Sequence, residues 1–174
     1  MIKFSNQHST IEDINQFYFY GISSLRRYFD DQNEYFLGYS KVELEAEFNV
    51  QLGSLERMVS LEILSFLEAN FRIDYLRRNE KKLKDQLSKN LRAIFKKKGN
   101  KASLDEDILK EWKVFYPKNK PLFDKFQKAL DYRHWLAHGR YWELRTYPEI
   151  IPFDYLSIQL LASEILMNVN FQKL

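Results

Sequence analysis

The stretch LERMVSLEILSFLEANF, residues 55–71, carries large apolar side chains on more than one side of a predicted helix. At about 100° per residue, Val59 and Ile63 fall on one face, whereas Leu61 and Leu64 fall on another. A helix that is apolar nearly all round is buried by neighbours on several sides. We therefore predict that this stretch lies in the central helix of an all-α domain.

Helix boundaries are well marked along the rest of the chain. The pattern Ser-x-x-Glu, a capping box, predicts helix starts at Ser9, Ser40 and Ser103. The helix predicted at 80–97, here called the basic helix, could be separate from the central helix or continue it. The predicted helices cover residues 10–31, 41–78, 80–97, 104–116, 120–138 and 153–170. The 174 residues, 1–174, are thus expected to form a single domain, a bundle of about five to six helices.

The composition narrows the class of protein. The chain has no cysteine, which excludes disulfides and thiolate metal ligands. No apolar run approaches the length needed to span a bilayer, and the N-terminus has no apolar core of a secretory signal. We therefore expect a cytoplasmic protein that does not enter a membrane.

Positive charge is concentrated in residues 77–101, here called the basic segment. It holds eleven Lys or Arg and two acids, a net charge of +9 in a chain whose total is +3. Such a run is typical of a surface that faces a polyanion, although a solvated helix face has the same composition. The candidate RNA-binding residues are Arg77, Arg78, Lys81, Lys82, Lys84, Arg92, Lys96, Lys97 and Lys98, together with Arg140.

The stretch DYRHWLAHGRYW, residues 131–142, places an arginine where an apolar residue is expected. In helical projection Arg133 falls in the middle of the apolar stripe of its helix. Burying an unpaired guanidinium costs several kcal/mol, roughly. One explanation is structural: an acidic side chain from the central helix pairs with Arg133. Another is functional: Arg133 faces a phosphate in a cleft or at a subunit interface. The candidate acids are Glu56, Glu62, Glu68 and Asp74.

Two histidines four residues apart accompany this arginine. His134 and His138 have the spacing of helical zinc ligands, but Trp135 stands where a zinc-protease motif has its glutamate, so no metal site is expected. His138 precedes Gly139, a glycine that predicts the end of the helix. An imidazole at such an end could exchange protons near neutral pH.

These residues carry a resemblance to a known family. Arg133-His-Trp-Leu-Ala-His138 is similar to the R-x4–6-H signature of the HEPN superfamily, which lies near the end of a late helix in an all-α domain of this size. The central helix, with SLEILSFLEANF, also resembles the core helix of such domains. The resemblance implies a HEPN-like helical bundle that forms a two-fold dimer with its active site at the interface.

The resemblance also implies a function and residue roles. It implies an endoribonuclease of the toxin or abortive-infection type, independent of metals and cofactors, with RNA as substrate and an antitoxin or regulatory protein as a further partner. Arg133 would bind the scissile phosphate, and His138 would act as general acid or base. His134, Glu68 and Asn70 would support them.

Other interpretations remain open from the sequence alone. The chain could be a HEPN-like module that binds RNA or dimerises without catalysis. It could also be a purely structural helical domain in which Arg133 pairs with a buried acid. Asn70, which falls on an apolar face of the central helix, could be a satisfied core amide. Tyr132, Trp135, Tyr141 and Trp142 could stack on bases, although packing is the alternative for each.

Overall fold

The computed structural model describes residues 9–144 and 153–172, and every regular element in those two ranges is helical. The α-helices are α1 (Ile11–Tyr28), α2 (Lys41–Glu80), α3 (Gln86–Lys98), α4 (Lys110–Phe115), α5 (Lys120–Ala137) and α6 (Tyr155–Asn168). Short 3-10 turns lie at Glu34–Phe36, Gly99–Lys101 and Pro117–Asn119. The prediction of an all-α chain with about five to six helices is confirmed for these residues.

Helix α2 is the central element, as its sequence predicts. Its 40 residues extend about 60 Å, at 1.5 Å per residue. Helices α1, α3, α5 and α6 all pack against it, which explains why its apolar side chains point to several sides. Phe71 lies at the centre of the core, with its ring 4.9–6.1 Å from the rings of Trp112, Phe123, Phe126 and Phe171.

The start of α2 pairs with α1 in a helical hairpin that extends from the core, here called the N-terminal hairpin. No residue of α2 before Leu55 is fully buried, and in α1 only Ile14 is. At the tip of the hairpin, the Phe29 ring stacks on Phe36 at 5.2 Å and meets the Phe48 ring edge-on at 6.1 Å. The tip of the hairpin is therefore held by its own aromatic contacts, whereas the first half of α1 packs on the main core through Ile14.

The predicted start of α2 is confirmed, whereas the predicted cap of α1 is displaced by one residue. The capping box at Ser40 is confirmed. At α1 the prediction of Ser9 as the cap was wrong by one residue, because Thr10 and Asp13 form the reciprocal pair of hydrogen bonds. The hydroxyl of Ser9 instead donates to Glu62 at 2.8 Å and ties the first turn of α1 to α2.

The basic helix is a separate element. Helix α2 ends at Glu80, Lys82 adopts a left-handed backbone conformation with φ of +49°, and α3 begins after Asp85. The Asp85 carboxylate accepts the Ser88 N–H at 3.0 Å and so caps α3. This cap, an aspartate before the helix, is the sequence signal that marks the break.

The predicted helix at 104–116 begins with a wider turn than an α-helix. Leu104–Leu109 is π-helical, with the Ile108 N–H donating to the Ser103 carbonyl at 3.1 Å. Ser103 caps this turn as predicted, by accepting the Glu106 N–H. Its own N–H donates to Asp107 rather than to the expected glutamate, so only half of the capping box forms.

Candidate functional site at the end of helix α5

Helix α5 ends where its sequence predicts. His138 is the C-cap residue of α5, and its N–H donates to the His134 carbonyl at 3.1 Å. Gly139 follows with φ of +82°, a left-handed conformation that favours glycine. The Arg140 N–H donates to the Trp135 carbonyl at 3.1 Å, which is the closing bond of a Schellman motif. The chain therefore reverses just beyond His138 and leaves that residue exposed at the end of the helix.

The reversal brings an indole beside both histidines. The His134 and His138 rings are 4.2 Å apart between centroids, and the Trp142 ring lies 5.7 Å and 6.4 Å from them. The Trp135 indole N–H donates to the Trp142 carbonyl at 2.7 Å and holds this turn in place. Both imidazoles are exposed to solvent, so they form a small open cluster backed by an aromatic ring.

Arg133 points to α2 rather than to the histidines. Its Nε lies 3.7 Å from a Glu68 carboxylate oxygen, which is an ion pair but too long for a hydrogen bond. The Nε atom is buried and has no hydrogen bond to the residues that the structure describes, whereas 34% of the side chain is exposed. Of the four acids predicted as partners, Glu68 is the one that meets Arg133. The guanidinium is thus loosely held and open to a further anion.

A second arginine shares the same carboxylate. The Arg72 Nε donates to the other oxygen of Glu68 at 2.9 Å, and its Nη1 donates to the Ala102 carbonyl at 3.4 Å. One carboxylate between two guanidiniums leaves this cluster with a net positive charge. Arg72 is not among the residues predicted for the site, although its spacing of four residues from Glu68 is the signal for such a pair on a helix.

Arg133 and His138 leave α5 in different directions. Five residues of helix separate their side-chain directions by about 140°. Arg133 meets Glu68 on one side, and His138 meets His134 and Trp142 on another. Within one chain, the contacts of the two residues therefore belong to neighbouring but distinct parts of the surface.

Asn70 is not brought to this site. It lies on another side of α2 from Glu68, and its Nδ2 donates to the Phe66 carbonyl of its own helix at 2.8 Å. The structure therefore assigns it a local hydrogen bond, in line with the structural alternative, and places it in a separate cavity.

Arg78 was predicted to bind RNA, but it is buried and is not available to RNA. Its Nε donates to Asp74 at 2.6 Å, and its Nη1 donates to Ser88 at 3.1 Å. The guanidinium also lies 5.3 Å from the Trp112 ring centroid and donates to the Asn170 carbonyl at 3.3 Å. This network ties α2 to α3, α4 and the end of the chain, so Arg78 is a core residue.

The remaining members of the predicted RNA-binding set fall into two groups. Arg77 pairs with Glu80 at 2.7 Å, Lys98 pairs with Asp107 at 2.7 Å, and Arg92 donates to the Leu83 carbonyl. These three have structural partners. The other six members are exposed on the surface: Lys81, Lys82, Lys84, Lys96, Lys97 and Arg140.

The aromatic residues of the opening stretch also divide by burial. Tyr132 is buried and stacks between Trp135 and Phe153, each 5.8 Å away, so it is not available to a nucleic-acid base. Burial raises the pKa of its phenol. Tyr141 is 84% exposed and remains accessible. Packing, the alternative named for each aromatic, therefore holds for Tyr132.

Two further observations concern metals and membranes. Across residues 9–144 and 153–172, no three His, Cys, Asp or Glu side chains lie close enough together to hold a metal ion. No helix in the described part of the chain has the length and hydropathy to cross a bilayer.

Comparison with known proteins adds no relative to these observations. No protein-family model, curated protein or solved structure matches the chain. The likeness to HEPN domains therefore stays a prediction from the sequence, based on residues 133–138 near the end of a late helix and on the central helix.

Proposed function

We propose that the chain is a HEPN-type endoribonuclease that cleaves RNA without a metal ion and acts as a toxin or an anti-phage effector. The observation that carries the proposal is the end of α5, where a partly exposed Arg133 and an open His138 lie five residues apart before Gly139. Both side chains have the accessibility that a phosphodiester substrate requires.

Arg133 is suited to bind the scissile phosphate. Its planar guanidinium is always charged and matches two phosphate oxygens, and Glu68 holds it only at 3.7 Å. A phosphate can therefore replace or join the carboxylate without first breaking a hydrogen bond. Charge that develops on the phosphate oxygens in the transition state would be stabilised by the same group.

His138 is suited to move protons at the reacting oxygens. The ribose 2′-oxygen attacks the adjacent phosphorus while its proton passes to a base, and the bond to the 5′-oxygen breaks as that oxygen takes up a proton. The products are a 2′,3′-cyclic phosphate and a 5′-hydroxyl. One imidazole can accept the first proton and another can donate the second. His134, in contact with His138, would orient it.

A second copy of the chain would complete this site. Because Arg133 and His138 diverge on α5, two copies related by a two-fold axis can bring the arginine of one chain to the histidine of the other. The exposed end of α5, with Tyr141 beside it, is the surface that such a dimer would use. Oligomerisation is thus part of the catalytic proposal.

The RNA would extend from this site toward the basic segment. Arg72 lies next to Arg133 through Glu68, and its contact with the Ala102 carbonyl leads to the end of that segment at Lys101. The exposed lysines of α3, Lys96 and Lys97, would then contact the RNA backbone. Such contacts are independent of base sequence and weaken with salt.

The direct test is cleavage of total RNA in EDTA by purified protein. We expect cleavage by the natural chain and a loss of about 100-fold or more in His138→Ala and in Arg133→Ala. Arg26→Ala, an exposed arginine on α1, is the matched control and should cleave normally. Cleavage that needs a divalent metal, or that persists in both site variants, would refute the proposal.

A mixing experiment tests the shared site. Arg133→Ala and His138→Ala should each be inactive alone, but after mixing and subunit exchange one composite site would again hold both residues. Recovery of part of the activity supports a site built from two chains. No recovery, in a mixture shown to contain the heterodimer, would place both residues of each site on one chain.

A binding module without catalysis is the second candidate function. The exposed lysines at 81–84 and 96–97 favour it, because they would hold RNA even if the end of α5 were inactive. Salt-sensitive RNA binding without any cleavage, by a dimer of the natural chain, would select this function over the nuclease.

A further inference from the structure

A cavity of about 690 Å³ lies on the other side of α2 from Arg133. The first turn of α1, the middle of α2 and the end of α6 form its walls. Its volume is in the range of small-molecule sites, roughly 300–1,000 Å³. On α2 the lining residues centre about 130° round the helix from Glu68, so the cavity is separate from the candidate nuclease site.

The charged groups of the described cavity lining are both carboxylates, and the other polar groups are hydroxyls and amides. Glu12 and Glu62 supply carboxylates, and Asn70 supplies an amide. Ser9 donates to one oxygen of Glu62, and the Nδ2 of Asn70 is bonded to the Phe66 carbonyl. The second oxygen of Glu62 and the Oδ1 of Asn70 receive no hydrogen bond from any residue that the structure describes. The described lining contains no Lys, Arg or His.

The wall between these two acceptors is mostly apolar and includes one serine hydroxyl. Phe66, Ile73 and Leu166 face the cavity, and neither Phe66 nor Ile73 is fully buried although both belong to the apolar face of α2. Glu62 and Asn70 are eight residues apart, which places their backbones about 12 Å apart along the helix. A ligand that matches both acceptors and the wall between them is long and apolar in its middle, with a cation or a hydrogen-bond donor at each end.

We propose that this cavity binds a linear aliphatic polyamine. One ammonium group would pair with the Glu62 carboxylate, the methylene chain would cover Phe66, and a second N–H would donate to the Oδ1 of Asn70. Charge-assisted hydrogen bonds of this kind are about twice as strong as neutral ones, which favours an amine over an alcohol of the same length. The site does not depend on Arg133 or His138.

The test is isothermal titration calorimetry with 1,8-diaminooctane, and with 1,8-octanediol as its neutral counterpart. We expect the diamine to bind at least about tenfold more tightly than the diol. Glu62→Gln and Asn70→Leu should each weaken the diamine about tenfold, after thermal unfolding has shown that both variants fold. Glu45→Gln, an exposed carboxylate at the start of α2, is the control and should bind normally.

Three results would overturn the assignment. The diol could bind as well as the diamine, Glu45→Gln could weaken binding as much as Glu62→Gln, or the diamine could fail to bind the natural chain. Arg133→Ala and His138→Ala should bind the diamine normally, so the outcome is independent of the nuclease test.

Discussion

Replacing Asp74 by asparagine should cost the protein about 3–5 kcal/mol of unfolding free energy, because it leaves the buried Arg78 without its closest anion. Asp74 is fully buried and its Oδ2 lies 2.6 Å from the Arg78 Nε. The other hydrogen bonds of Arg78, to Ser88 at 3.1 Å and to Asp85 and the Asn170 carbonyl at 3.3 Å each, are longer. For a chain of this length the loss corresponds to a fall in Tm of roughly 6–20 °C.

The assay is urea unfolding followed by circular dichroism, with Arg78→Met as the matched partner. Arg78→Met leaves Asp74 buried with the Gln172 N–H as its hydrogen-bond donor. Burial already raises the pKa of Asp74 against the pull of Arg78, and loss of the guanidinium raises it further. A raised pKa in the folded state means that stability is lost as pH rises through it. The cost of Arg78→Met should therefore be smaller at pH of about 5 than at about 7.

Two results would refute this account of the buried pair. The first is a loss of less than about 1 kcal/mol in Asp74→Asn, because a guanidinium satisfied by its other partners would not need the carboxylate. The second is a cost of Arg78→Met that grows on acidification. Arg78→Met should also keep the RNA affinity of the folded protein, since Arg78 is not on the surface.

The other predictions concern the surface and the end of α5. The double variant Lys96→Gln/Lys97→Gln should weaken RNA binding and reduce the slope of log K against log salt concentration by about 0.7–0.9 per lost contact. The control variant Lys118→Gln/Lys120→Gln should change neither. Equal slopes for the two variants in titrations from low to high salt would contradict this. Gly139→Ala should lower the unfolding free energy by about 1–2 kcal/mol because of its φ of +82°, and should reduce RNA cleavage by displacing the turn beside His138; unchanged stability and cleavage would contradict the role of the turn.

The local features of the chain could be predicted from its sequence. The number of helices follows from apolar periodicity, and the end of α5 follows from a single glycine, because both depend on residues close together in the chain. Arg133 was recognised as anomalous for the same reason. Its partner Glu68 could only be named among four acids, because a contact between helices depends on how the two helices pack.

The errors arise where tertiary packing decides. Arg78 belongs to a run of positive charge, but Ser88 and Asn170, which help to bury it, come from α3 and the end of the chain. Asn70 lies on an apolar face in projection, yet a cavity opens there because α1 and α6 do not close over it. Charge runs and helical projections describe one segment at a time and cannot show these neighbours.

The length of α2 beyond the core has a consequence for hydrogen exchange. Its backbone hydrogen bonds from Leu55 onward are packed under neighbouring helices, whereas those of residues 41–54 have no fully buried side chain above them. Amides of this one continuous helix should therefore exchange in two classes. Those of residues 41–54 should exchange fast, through local opening of the N-terminal hairpin, and those from Leu55 onward should exchange slowly, through global unfolding. The boundary between fast and slow amides should fall near Leu55, and the aromatic contacts of Phe29, Phe36 and Phe48 set the free energy of the faster class.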